Sequence, residues 1–182
     1  MADSDFFTIF ATRKLFNLTT KATYVMKDLK MYINGQFCAA SDGQWIDVLN
    51  PSTEEVISRQ PNGTIEDVNR ALDAAKAAQK AWGKTPAIER AAWLKKLANG
   101  IRERREEFID IIMREQGKTI TWATIEVDVT AEYFDYMASF ARHIEGEIIP
   151  SDRPNETIFL TKKPIGVVAG ILPWNFPFFL IA

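Results

Sequence analysis

From residue 31 the apolar positions come in short runs broken by turn residues, the pattern of small strands. Tyr32-Ile-Asn-Gly-Gln-Phe37 carries Asn34-Gly35, the pair that a two-residue type I′ hairpin turn wants, because both central residues need positive φ. A second turn at Ser41-Asp-Gly43 precedes a strand at 45–48, and Asn50-Pro-Ser-Thr53 turns the chain into another at 55–58. The period then lengthens to that of helices. Thr64 is placed to cap the first, Glu66 and Asp67 complement its dipole, and Gly83 stops it. Its apolar stripe is Val68, Leu72, Ala75, Ala78 and Trp82. A second helix opens at Thr85-Pro86, with proline at the first helical position. It runs to Gly117 with Leu94, Leu97, Ile101, Phe108 and Ile112 facing inward. The charge run at 102–107 reads as its solvated face. A third helix is expected over 121–144, where Trp122, Ile125, Val129, Tyr133, Tyr136, Met137 and Phe140 recur at helical spacing and read as core.

Beyond Gly146, Glu147-Ile-Ile-Pro-Ser151 and Thr157-Ile-Phe-Leu-Thr161 form two arms joined by a polar turn at 151–156. Ile158 and Leu160 alternate with Phe159 and Thr161, so each face carries something apolar. A two-stranded arm is marginal alone in water and needs a partner surface. Residues 165–172 are an apolar run rich in β-branched residues, suited to a strand covered on both faces as in a parallel α/β sheet. Pro173 stops that strand, since proline cannot donate to a ladder. Trp174 and Asn175 then fall just past a strand's carboxyl end, where α/β sheets place their ligands. Pro177 suits the first turn of a following helix. Asn175 is therefore a candidate hydrogen-bond donor on a stiff loop between two prolines.

Composition narrows the function classes. The chain has 182 residues, enough for one domain with a sizeable core, and 47% hydrophobic with 25% charged residues is ordinary for a globular protein. A net charge of −2 without a basic stripe gives nucleic acid no electrostatic footing. The one cysteine, Cys38, excludes an intramolecular disulfide and fits a reducing cytoplasm. As a nucleophile it lacks any sequence-local base, and reads instead as a small half-buried side chain. With a single His143 besides, no metal-ligand cluster forms. Glu115 and Glu126 invite an acid–base reading, but they fall at the end of one helix and on the face of the next.

Pro164-x-Gly-Val-Val followed by Ile171-Leu-Pro-Trp-Asn-Phe-Pro177 resembles the signature of NAD(P)-dependent aldehyde dehydrogenases. Met31-Tyr-Ile-Asn-Gly-Gln-Phe and residues 45–53 are similar to that family's amino-terminal hairpin region. Glu145-Gly-Glu-Ile-Ile and Ser151-Asp-Arg-Pro are most like the branch that contains lactaldehyde and glycolaldehyde dehydrogenases. The resemblance covers residues 31–182 and implies an α/β fold: the amino-terminal part of the aldehyde dehydrogenase fold, with strand hairpins, three helices, an oligomerisation arm and the first strand of a Rossmann-like sheet. It divides the chain into 1–30, a disordered or non-native extension; 31–144, the amino-terminal part of a cofactor-binding domain; 145–163, the oligomerisation arm; and 164–182, the start of the Rossmann-like core. For the extension, a transit peptide is the weaker alternative, because Asp3 and Asp5 do not suit one.

Aldehyde oxidation by this family needs a nucleophilic thiol, a hydride acceptor, a base and donors aimed at the tetrahedral oxyanion. The resemblance assigns the oxyanion donor to Asn175. It sets Ile171, Leu172, Pro173 and Trp174 against NAD, with NADP as the alternative, and places Phe176, Phe179 and Leu180 at the aldehyde entrance. Helix capping is the competing role for Asn175. The family's catalytic cysteine, glutamate base and cofactor-ribose lysine find no match up to Ala182, so the expectation is part of a homo-oligomeric oxidoreductase, inactive alone. Two other classes compete. One is a non-enzymatic polypeptide that associates with full-length subunits through residues 145–163. The other is a membrane anchor at 165–182, which Gly166, Gly170, Pro173 and Pro177 make a poor spanning helix.

Overall fold

The structure, a computed structural model, describes residues 27–182. Most of the extension assigned to 1–30 therefore lies outside the described residues. Its last part does not: β1 (Lys27–Asp28) pairs in parallel with β5 (Val56–Pro61), and Asp28 accepts two hydrogen bonds of 2.9 Å from the Arg59 guanidinium. β5 also pairs antiparallel with β4 (Trp45–Leu49), giving a three-stranded sheet in the order β1-β5-β4. β2 (Met31–Ile33) and β3 (Gln36–Cys38) make a separate hairpin, turned at Asn34 and Gly35 with φ of 51° and 77°. Those two positive values are what a type I′ turn demands and what Asn-Gly accepts most readily.

Four long helices follow, where the hydrophobic period suggests three: α1 (Ile65–Trp82), α2 (Ala87–Glu103), α3 (Arg105–Gln116) and α4 (Ile120–Ser139). The expected helix to Gly117 breaks at Arg104, whose φ of −114° and ψ of 24° leave the helical region. The break falls inside the charge run at 102–107, so that run is more than a solvated face. On either side of it Arg102 bonds Asp135 at 2.6 Å, and Arg105 grips Asp128 through two contacts of 2.6 and 2.8 Å. Local periodicity carries no trace of these long-range pairings. Past α4 a 3₁₀ turn (Phe140–Arg142) ends the helix earlier than the expected 144.

By compactness the described chain forms two units, residues 27–77 with Glu106–Ile125, and Ala78–Arg105 with Glu126–Ala182. In the first, Ala40, Ile57, Phe108, Ile109 and Ile112 are buried. The turn at 50–53 is an Asx turn, Ser52 N donating to Asn50 Oδ1 at 2.9 Å. Gly117 stops α3 in the left-handed region (φ 61°), and a Cβ there would lie 3.0 Å from the Pro51 ring. The start of α1 is locked by reciprocal hydrogen bonds. Asp67 N donates to Thr64 Oγ1 at 3.3 Å, and Thr64 N donates to Asp67 Oδ2 at 2.9 Å. This is a capping box built with aspartate. Ser41 N adds a third bond to Asp67 Oδ2 at 3.1 Å, and Arg70 a fourth contact, so Asp67 is buried where the sequence suggested only a dipole effect.

Burial differs between the helix faces and corrects one expectation, that for α4. Val68, Leu72 and Trp82 of α1 are exposed, because periodicity reports which face is apolar and not whether a layer covers it. On α4 the buried residues are Ala123, Glu126, Val127, Thr130, Ala131, Phe134 and Ala138, while Trp122, Ile125, Tyr133, Tyr136, Met137 and Phe140 are exposed. α4 is apolar on more than one face, so spacing alone does not choose between them. Small alanines, which let another backbone approach closely, occupy the inner one.

In the second unit Ala91, Ala98, Ile101, Val127, Ala131 and Phe134 are buried. β6 (Glu147–Pro150) and β7 (Thr157–Leu160) form the expected arm, in the register Glu147↔Leu160 to Pro150↔Thr157. Every residue of both strands is exposed, Ile148 at 71% and Phe159 at 68%. Residues 165–172, expected as a strand covered on both faces, pair with no strand among the described residues, and Ile165 is 92% exposed. A strand exists only through its ladder, and no neighbour among the described residues supplies one. Among the described residues, no helix is long and apolar enough to cross a membrane.

Candidate functional site

The conspicuous site is the bend at 174–176 and the short helix α5 (Pro177–Ile181) behind it. Sequence dictates the local shape. Pro173 and Pro177 fix φ on both sides of the bend, and Pro177 occupies the first helical position, where its missing N–H costs nothing. Phe176 is the N-cap residue, with φ −139° and ψ 54°, and provides no side-chain cap.

The amides at the start of α5 are nonetheless satisfied. Phe178 N and Phe179 N both donate to Glu126 Oε1, at 2.9 and 3.3 Å, and Leu180 N returns to Phe176 O at 3.1 Å as the helical ladder begins. The cap comes from another helix, from a carboxyl group that is 0% exposed. Seven residues further along α4, and so close to the same face, the Tyr133 ring meets Phe179 edge-on at 5.5 Å. Tyr133 continues into Tyr136 and Phe140 at 5.7 and 5.0 Å between ring centres. The Glu126 carboxyl and the Tyr133 ring thus hold α5 against α4.

Asn175 lies one residue before the N-cap, exposed on the bend. The amides that a capping side chain would serve donate to Glu126 instead. Ile171 and Trp174 are 93% and 86% exposed, Leu172 and Pro173 are exposed as well, and Leu180 is exposed on α5. Phe176 and Phe179 are half-buried. The bend therefore brings an amide, an aromatic ring and an aliphatic strip together on one exposed loop.

The other candidates are not gathered there. Cys38 is half-buried in β3, opposite Met31. Glu115 is exposed near the end of α3. Among the described residues no cluster of His, Cys, Asp or Glu suits a metal. Glu126 is the residue whose part sequence reasoning undervalued. Its signal was a carboxyl group set among Ala123, Val127 and Thr130, small or apolar neighbours at helical spacing, where an acid stays only if it has donors to meet.

The sequence pattern of the aldehyde dehydrogenase family matches residues 37–182. Lactaldehyde dehydrogenase of Escherichia coli (strain K12) is 58% identical over 152 residues, 84% of this chain and 32% of that one. A crystal structure of lactaldehyde dehydrogenase from Escherichia coli aligns with a TM-score of 0.83 at 56% identity, over 86% of this chain and 33% of that one. A structure of 3,6-anhydro-L-galactose dehydrogenase in complex with NAP aligns with a TM-score of 0.81 at 38% identity, over 85% of this chain and 32% of that one. The chain spans about a third of the length of the relatives it matches.

Proposed function

This chain belongs to the aldehyde dehydrogenase family, and we propose that it is the amino-terminal part of an NAD(P)-dependent enzyme that oxidises a small aldehyde of the lactaldehyde or glycolaldehyde type to its acid. The observation that carries the proposal is Asn175, an exposed amide on a bend flanked by two prolines and backed by a helix whose first amides are held from α4. A neutral amide held this way is suited to donate to the oxyanion that forms as a thiol adds to the aldehyde. The charge on that oxygen develops during the addition, so the bond is worth more in the transition state than in the ground state.

Ile171, Leu172, Pro173 and Trp174 would lie against the dinucleotide. The exposed Trp174 ring and the aliphatic strip before it fit a ligand with flat, partly apolar faces. NAD, or NADP as the alternative, supplies a hydride acceptor when bound. Phe176, Phe179 and Leu180 would flank the aldehyde and keep water from it. The nucleophilic thiol and the base would come from parts of the enzyme matched by none of these 182 residues. The exposed, apolar β6–β7 arm supports a homo-oligomer joined through residues 145–163, and a single cysteine fits a cytoplasmic location. The same exposed arm is what favours a second reading, a polypeptide without activity that associates with full-length subunits. Co-purification of the 182-residue chain with such subunits, without any gain in turnover, would select it.

The test uses a complete enzyme carrying this chain as its amino-terminal part. Asn175→Ala should lower kcat by about 100- to 1,000-fold, or about 2.7–4 kcal/mol, with little change in KM for NAD. Asn175→Asp should be at least as damaging, since it turns acceptors and like charge towards the oxyanion. A stable, active Asp variant would leave Asn175 with a structural role only.

A further inference from the structure

We infer that Glu126 is a positioning residue for Asn175: its buried carboxyl holds the first turn of α5 and, through that turn, the bend that presents the Asn175 amide. The inference deepens the proposed function and rests on it for the meaning of Asn175.

Three observations carry it. The first is the account of the α5 donors. Pro177 has no N–H, Phe178 and Phe179 donate to Glu126 Oε1, and Leu180 donates to Phe176 O, so Glu126 serves the amides that the N-cap residue leaves unserved. The second is burial. Glu126 is 0% exposed, and a buried carboxyl is kept only where donors repay its desolvation. The third is reach. Asn175 is three residues from Phe178, at most about 10 Å of chain, and Pro177 stiffens that link. Without its cap the first turn of α5 opens, and the bend loses the support on its carboxyl side. The Phe179 ring stays on Tyr133, a side-chain contact that does not replace the lost acceptor.

The test is made by NMR on the 182-residue chain. In the unmutated protein the Phe178 and Phe179 amides should exchange slowly and the Asn175 side-chain NH₂ should be rigid on the nanosecond scale. Glu126→Met, close in shape but with no oxygen, should speed exchange at Phe178 and Phe179 on the order of tenfold or more and make the Asn175 amide mobile. The Phe134 and Ala138 amides of α4 should keep their protection. Glu126→Gln keeps an acceptor oxygen and should restore both signals. Fast exchange at Phe178 and Phe179 in the unmutated chain would overturn the inference even if the Met variant fails to fold. So would a Gln variant as loose as Met, or an Asn175 amide that stays rigid in Glu126→Met. In the complete enzyme, Glu126→Met should lower kcat at least tenfold with KM for NAD little changed, and Glu126→Gln should recover it. The two failures separate cleanly. If Asn175→Ala leaves kcat intact, the oxyanion role falls, while exchange at Phe178 and Phe179, which needs no turnover, still decides what Glu126 holds.

Discussion

Replacing Thr64 by alanine strips the amino-terminal lock of α1, and the geometry sets the size of the effect. One hydroxyl can donate once and accept twice. Thr64 Oγ1 has three partners: Asp67 N donates to it at 3.3 Å, Asp67 Oδ2 lies at 3.1 Å and Ser41 Oγ at 2.8 Å, with Ser41 Oγ itself 3.3 Å from Asp67 Oδ2, so two hydroxyl protons are shared among three contacts. Alanine removes all three while Thr64 N stays on Asp67 Oδ2. Losing an N-cap side chain costs about 1 kcal/mol, within a range of about 0.5–2. The long bonds argue for the middle of that range, and the tie to Ser41 adds a few tenths. An estimate of about 1–1.5 kcal/mol, at about 2–4 °C per kcal/mol for a chain of this size, gives a fall in Tm of about 2–6 °C. Thermal unfolding followed by far-UV circular dichroism at pH 7 measures it. Thr64→Ser keeps the hydroxyl and should stay within about 1 °C of the unmutated chain. If Ala and Ser behave alike, or if Ala changes Tm by less than the scatter of ordinary surface substitutions, the lock contributes nothing and the reasoning fails.

Three further outcomes are expected. Hydrogen bonds from the Thr64 and Ser41 amides, helped by Arg70, hold the Asp67 carboxyl well below the usual range. Its stabilising effect is therefore complete above the unfolded value of about 4 and is lost as pH falls below it. Asp67→Asn should flatten the acid limb of a Tm–pH curve, and an unchanged limb would refute the linkage. A Cβ at Gly146 would collide with the Leu160 carbonyl oxygen, so Gly146→Ala should unpair the Glu147 end of the arm. Faster amide exchange in β6 and β7 is the readout, and unaltered protection there would count against it. Finally, the 182-residue chain given NAD and lactaldehyde or glycolaldehyde should form NADH no faster than the blank, because its one thiol, Cys38, lies in the β2–β3 hairpin. Turnover abolished by Cys38→Ala would overturn that expectation.

Features set within a few residues are legible in the amino-acid sequence alone. Asn34-Gly35 makes its turn because both residues tolerate positive φ, Gly117 stops α3 for the same reason, and Pro177 opens α5 because its fixed φ already suits a first turn. Thr64 caps α1 through a partner only three residues away. The run from Ile171 to Pro177 points to the family, since its residues are consecutive and unusual together. What the sequence hides depends on partners distant along the chain. The break at Arg104 is accompanied by ion pairs to Asp128 and Asp135, more than twenty residues on. Which face of α4 is buried is not legible from its period, because apolar residues lie on several faces. Residues 165–172 carry strand composition, yet a ladder needs a second chain segment to accept and donate. Glu126 is in structural contact, but its partners are hidden because the amides it serves lie 52 and 53 positions away, and only the folded chain brings those donors to its oxygen.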